Sequence, residues 1–423
     1  MKRFVYLAIL FAAVAIVQGC ASASKTSQPS AASTSAPATT DTVVGHREND
    51  NDKNTAHVTS ASAVVTGADQ VATVVDLLKG KRVALVVNYT AMVGKIHLAD
   101  TLRSRGVNIL KIMSPEHGFR GNATAGEHVS DGFDTKTGLP VVSLYGKGRK
   151  PTPEQLSDID IVVFDIQDVG VRFFTYIGTL HYVMEACAEN NKKVIVLDRP
   201  NPNASYIDGP MMRKEFETFI GMHAVPVVHG LTVGEYAGMI NGEGWLAGQK
   251  ACDLEVVQMK NWKHSDDYIL PIKPSPNLPN QQSILLYPSV CFFEGTALSL
   301  GRGTQMPFQV IGHPDLKNQP FSFTPVDIPG MAVDPPLEGK LCYGLDLRNV
   351  KVEKRVVVSF LINMYQAFPD KEKFFVEHFG RWAGSNDLAQ QIKSGMTEDQ
   401  IRATWQADLG KYKVMRKKYL LYE

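Results

Sequence analysis

Short runs of consecutive apolar, largely β-branched residues recur along the chain: VALVVN (83–88), VNILKIM (107–113), PVVSL (140–144), DIVVFDI (160–166), KVIVLD (193–198), VPVVH (225–229) and LEVVQM (254–259). Runs without polar alternation suit strands covered on both faces. Between several of them the apolar spacing becomes helical, in DQVATVVDLLK (69–79), LADTLRSRG (98–106), YIGTLHYVMEACAENN (176–191) and TVGEYAGMINGEG (232–244). Strand–helix–strand repetition predicts an α/β fold built on a Rossmann-like, doubly wound, mostly parallel sheet. No G-x-G-x-x-G follows the first run, where YTAMVGK stands instead. A dinucleotide site of the usual kind is therefore not expected, and no cofactor is called for.

The texture changes after about residue 265. Pro271, Pro274, Pro276, Pro279 and Pro288 fall within eighteen residues, the mark of a linker or of an irregular wall around a site. Pro-interrupted strands follow (FSFTPVDI, CYGLDLRNV). Thr397-Glu398-Asp399-Gln400 then fits a capping box opening a last helix through about Lys418. The reading is a body at 68–265 and a C-terminal α+β auxiliary domain at 266–423.

The N-terminus has a different pattern. Lys2 and Arg3 precede the apolar stretch FVYLAILFAAVAIVQ and then Gly19-Cys20-Ala21-Ser22. A basic start, a short apolar core and small residues at the cut describe a secretory signal over 1–19. The stretch falls short of the about 20 apolar residues that span a bilayer comfortably. Val17-Gln18-Gly19-Cys20 resembles a lipobox, with Cys20 as the acylated residue. Residues 20–67, rich in Ser, Ala, Thr, Asn and Asp, offer too little apolar surface to fold and read as a lipid-anchored tether. The expected place is outside the cytoplasm, membrane-anchored, facing the periplasm or the cell surface.

Composition narrows the partners. The 423 residues carry 44 Lys+Arg against 43 Asp+Glu, spread without a basic patch, so nucleic acid is not an expected partner. Cys187, Cys252, Cys291 and Cys342 are widely spaced and contain no Cys-x-x-Cys, which excludes a zinc knuckle or a disulfide scaffold.

Ionisable chemistry collects where strands end, which is where open α/β sheets bind ligands. VNILKIM runs into SPEHGFRGNATAGEHV (114–129), with Glu116, His117, Arg120 and Glu127. DIVVFDI carries Asp165 and runs into Asp168, Arg172 and Tyr176, and KVIVLD runs into DRPNP (198–202). The last cluster also suits plain turn chemistry, and Asp165 with Arg172 also suits a structural ion pair. Glu116, between Pro115 and His117-Gly118, has no evident structural task. No G-x-S-x-G elbow and no H-E-x-x-H occurs. Carboxylates flanked by Arg and Tyr suit glycoside cleavage, in which one carboxylic acid protonates the leaving oxygen and a second acts as base or nucleophile.

PEHGFRGNATAGE (115–127), DIQDVGVRFFTY (165–176), DRPNP (198–202) and YPSVCFFEGTALSLGRGTQMPF (287–308) resemble the exo-β-N-acetylmuramidase family, the NamZ-type glycoside hydrolases. The likeness runs from about residue 70 to YLLY (419–422). It implies a Rossmann-like catalytic domain, an auxiliary domain and a cleft between them. It also implies release of N-acetylmuramic acid from the non-reducing ends of peptidoglycan-derived oligosaccharides. By motif, Glu116 is the leading catalytic carboxylate, with Glu127 and Glu294 as competitors for the second. Ala297 stands where Asn is expected after Glu-Gly-Thr. Arg120, Arg172 and Arg302 are candidates for the lactyl carboxylate of the sugar, and His117, Asp165, Asp168 and Tyr176 for further substrate contacts. Two other readings stay open at this point. One is a non-catalytic muropeptide-binding lipoprotein. The other is a metal-dependent hydrolase using Glu116, His117 and Asp168.

Overall fold

A computed structural model describes residues 63–115, 118–120, 132–146 and 148–423. The described residues form one compact unit. Its strands are β1 Val83–Val87, β2 Met92–Val93, β3 Ile96–His97, β4 Ile109–Ser114, β5 Gly132–Phe133 and β6 Pro140–Ser143, then β7 Ile161–Asp165, β8 Lys193–Leu197, β9 Asp253–Val257, β10 Val310–His313, β11 Phe321–Phe323 and β12 Cys342–Asp346. Seven of them make the central sheet in the order β5-β6-β4-β1-β7-β8-β9. All neighbours in it are parallel except β5 with β6.

The unalternating apolar runs have the expected cause. In β1, Ala84 and Val86 face one core with Val162 and Phe164 of β7, while Val83, Leu85 and Val87 face the other with Ile161 and Val163. Side chains alternate between faces along a strand, so both faces must be apolar when helices cover both. Helices Val71–Leu78 and Leu98–Ser104 cover one face, and Tyr176–Glu189 with Val233–Gly242 cover the other.

One expected strand is absent. VPVVH (225–229) forms no strand and pairs, among the described residues, by isolated bridges, Val228 to Val171 and to Asp208. The place beside β8 is taken by β9, and this segment is instead buried in the core that contains Phe164 and Leu180. There Arg172 N donates to Val227 O at 2.8 Å and the Tyr412 hydroxyl donates to His229 O at 2.8 Å.

Beyond residue 265 an irregular Pro-rich stretch leads into helix Gln281–Val290. A three-stranded antiparallel sheet, β10-β12-β11, follows, and then helices ending in Glu398–Arg416. That last helix starts as its capping box requires. Thr397 Oγ1 accepts from Gln400 N, and Gln400 Oε1 accepts from Thr397 N at 2.9 Å. Ile401, Trp405, Leu409 and Tyr412 recur on one face and join the same core as Phe164 and Val196 of the sheet. Cys187, Cys252, Cys291 and Cys342 are buried free thiols. Among the described residues no helix is long and apolar enough to cross a membrane.

Candidate active site

The carboxyl ends of β4, β1, β7 and β8 lie along one edge of the sheet, because these strands are parallel neighbours. The chain leaves β1 toward β4 and β6, then returns to the other side of β1 at β7. The topological switch therefore lies between β1 and β7, and β4 delivers Ser114-Pro115 to the same edge. Glu116, His117 and Glu127 lie outside the described residues, as do His128 and Cys20.

Three sequence-predicted residues meet in one cavity of about 200 Å³: Tyr176, Glu294 and Arg302. Phe173, Phe174 and Tyr287 give it aromatic walls, with Ser275 and Trp382 completing the rim. Tyr176 opens the helix Tyr176–Glu189, directly after the β7 loop. Glu294 projects from the short turn Cys291–Gly295, which continues helix Gln281–Val290.

Arg302 sits between two glycines in left-handed conformations, Gly301 at φ +87° and Gly303 at φ +76°, where L side chains are strained. That double turn presents Arg302 to Glu294, with Nε donating to Oε1 at 2.7 Å. Burial works against the Arg302 charge, but Glu294 outweighs it, so the guanidinium pKa is raised. Arg302 also lies over the Phe308 ring, 5.1 Å from its centroid. Its Nη atoms and Glu294 Oε2 carry no hydrogen bond among the described residues, so both groups retain capacity for a ligand.

The other candidates have different tasks. Arg120 holds Asp134 through Nε at 3.0 Å and Nη2 at 2.8 Å, and reaches Asp100 at 3.3 Å. Burial would raise the Asp134 carboxyl, yet Arg120 and Thr137 hold it well below the usual range. Arg172 is buried and spends its fork on carbonyls: Nη1 on Pro210 at 2.7 Å and Val225 at 2.9 Å, Nη2 on Trp382 at 2.7 Å. Burial lowers it to about 9. It acts as a clamp that fixes the Trp382 wall of the cavity.

Asp165 pairs with Arg199 rather than with Arg172, at 2.5 and 2.8 Å. The DRPNP cluster is thereby divided. Arg199 belongs to this pair, while Asp198 accepts from Thr232 Oγ1 at 2.6 Å, Tyr422 Oη at 2.7 Å and Gly234 N at 2.9 Å. Asp168 Oδ1 accepts from Gly170 N at 2.7 Å, and its buried Oδ2 has no partner among the described residues. Burial pushes this carboxyl up to about 7.

Sequence reading did not single out Ser275, Tyr287 or Trp382. The Pro-rich stretch signalled an irregular wall, and Ser275 lies in it. Trp382, in the one-turn helix Gly380–Ala383, had no local signal because it reaches the cavity only after the C-terminal helices have packed.

Fold and site together define a doubly wound α/β chain with a small aromatic cleft holding a carboxylate–guanidinium pair. Two family models match it, exo-β-N-acetylmuramidase NamZ N-terminal over 83–282 and NamZ C-terminal over 285–422. The chain is 38% identical over 367 residues to the peptidoglycan β-N-acetylmuramidase NamZ of Bacillus subtilis (strain 168), covering 82% of this chain and 88% of that one. Two crystal structures of DUF1343 family proteins from Bacteroides fragilis are also similar. One has TM-score 0.80 and 44% identity, covering 86% of this chain and 99% of that one. The other has TM-score 0.74 and 33% identity, covering 85% and 99%. The chain belongs to the exo-β-N-acetylmuramidase NamZ family of glycoside hydrolases.

Proposed function

We propose that the protein releases N-acetylmuramic acid from the non-reducing ends of peptidoglycan fragments, in the cleft formed by Tyr176, Glu294 and Arg302. The observation that carries this reading is the Glu294–Arg302 pair, held by a double-glycine turn inside an aromatic cavity of about 200 Å³. Glu116, one residue beyond Pro115 at the end of β4, is the proposed general acid, and Glu294 the second carboxylate. Glu127 remains the competitor for that second role. A general acid needs a protonated carboxyl at the leaving oxygen; the second carboxylate stabilises the cationic sugar or attacks it.

The test is incubation with an N-acetylmuramic acid–N-acetylglucosamine disaccharide and identification of the products. Free N-acetylmuramic acid is expected from the wild type. The Glu116→Gln variant should cleave about 10²–10⁴-fold more slowly. That deficit should shrink on aryl glycosides, whose leaving groups need little protonation. A folded Glu116→Gln variant that cuts the disaccharide at wild-type rate removes Glu116 from the role.

We further propose a lipoprotein anchored at Cys20 outside the cytoplasm, supported by the basic–apolar–small order of residues 2–20. Cys20→Ser should shift the protein from the membrane fraction to a soluble one. Wild-type protein found soluble from the outset refutes the anchor.

A further inference from the structure

A second and larger cavity, of about 630 Å³, opens at the switch point of the sheet. Thr90 and Met92 reach it from the segment after β1, Gln167 from the loop after β7, and Arg199 from the end of β8. Tyr268 and Ile272 close the far side. None of these residues lines the Glu294–Arg302 cleft.

Two buried polar side chains face this space with a group left over. Arg199 is only 7% exposed. Its Nε and Nη2 are spent on Asp165, and Nη2 also on Met92 O at 3.0 Å, while Nη1 has no hydrogen bond among the described residues. Gln167 is 6% exposed and donates both amide hydrogens, to Asp168 O at 2.8 Å and Pro200 O at 2.7 Å. Its Oε1 is left without a partner among the described residues. Asp69 and Tyr268 lie close enough to Arg199 to act on its charge, and Lys95 stands exposed at the mouth.

The charges select the ligand class. Asp165 neutralises Arg199 at short range, and Asp69 offsets Lys95, so the lining has no net charge to hold a polyanion. Among the described residues no glycine-rich turn presents backbone N–H groups there, and helix Leu98–Ser104 follows a β-hairpin instead of β1 directly. The described lining thus lacks the phosphate anchor that such switch points use for nucleotides. What it offers is one guanidinium donor, one amide acceptor, a phenol serving either role, and apolar faces from Met92, the Tyr268 ring, Pro271 and Ile272. That combination matches a neutral pyranose, with hydroxyls around its rim and C–H groups on its faces.

The position supports the same class. Pro271 and Ile272 line this cavity and Ser275 lines the cleft. Three residues of chain reach at most about 10 Å, so the two spaces border the same Pro-rich stretch. We propose that the cavity between β1 and β7 is a second saccharide site, distinct from the cleavage cleft, taking an uncharged pyranose such as N-acetylglucosamine. The assignment rests on the reading of the substrate as a cell-wall glycan.

The test is calorimetric titration of the whole protein with tri-N-acetylchitotriose, which has no muramic acid for the cleft. The wild type should bind it saturably. Tyr268→Ala, which removes the ring, and Ile272→Trp, which fills the space, should each weaken binding at least about tenfold, or about 1.4 kcal/mol. Arg302→Ala, in the cleft, should leave the affinity within about twofold. A thermal melt shows which variants fold, and either of the first two suffices. Absence of saturable binding to the wild type overturns the site. So does loss of binding in Arg302→Ala with none in the folded cavity variants. Cleavage of an aryl muramic acid glycoside separates the two claims. Cleavage without chitotriose binding overturns only the second site, and binding without cleavage overturns the muramidase reading.

Discussion

Arg302, Arg120 and Arg172 carry the same planar fork of donors, and what each has left for a ligand depends on which partners have already taken it. Arg120 is committed to Asp134 and Asp100, and Arg172 to the carbonyls of Pro210, Val225 and Trp382. Arg302 gives one Nε–H to Glu294 and keeps its Nη groups at the cavity. It is therefore the arginine expected to meet the lactyl carboxylate. A charge-assisted hydrogen bond contributes about 1.5–3 kcal/mol, or roughly 10- to 100-fold. Arg302→Ala should weaken a muramic acid substrate by that factor relative to the matching N-acetylglucosamine compound, as the ratio of kcat/KM values reports. Equal losses on both sugars would take Arg302 out of recognition. The sequence displayed all three arginines as equals. It could not rank them, because their partners stand up to 210 residues away and become neighbours only in the fold.

At the scale of the elements, the turn Cys291–Gly295 has little freedom. A Cβ on Gly295 would stand 2.8 Å from Phe379 Cδ2 and 3.0 Å from Trp382 Cε3, closer than a side chain can sit without displacement. The turn that carries Glu294 is thus packed directly on the helix that carries Trp382. Overpacking of this kind costs about 1–3 kcal/mol. Gly295→Ala should lower the denaturant midpoint accordingly and reduce turnover, since any shift moves Glu294 against Arg302. An unchanged midpoint would mean that Phe379 and Trp382 yield without cost. Element by element, legibility followed how local the cause was. The capping box at Thr397 and the two-faced apolar runs of β1, β7 and β8 depend on neighbours in sequence, and each was readable. VPVVH has the same composition and is not a strand, because β9 occupies the place beside β8. The two-residue β5 and the β2–β3 hairpin are too short to carry a periodicity.

At the scale of the whole molecule, one core runs from the parallel sheet into the last helix, so a charge buried in it acts on the stability of the entire unit. Asp168 is such a charge. Burial raises its carboxyl to about 7, against about 3.9 in an unfolded chain. The sign follows from proton counting. Between about pH 4 and 7 the native state keeps a proton that the unfolded chain has released. The native state then binds more protons than the unfolded one, and stability falls as pH rises through that window. Below about pH 4 both states are protonated and there is no penalty; above about 7 the penalty is complete. A shift of about three units corresponds to about 4 kcal/mol at most. Asp168→Asn retains the Oδ1 acceptor for Gly170 N and cannot ionise, so any cost of its unpaired amide is the same at every pH. Urea midpoints of the two proteins should therefore diverge in favour of the variant between pH 5 and pH 8. A difference that stays constant across that range would mean that Asp168 is already ionised in the native state at pH 5. A partner for its Oδ2 would then have to come from outside the described residues.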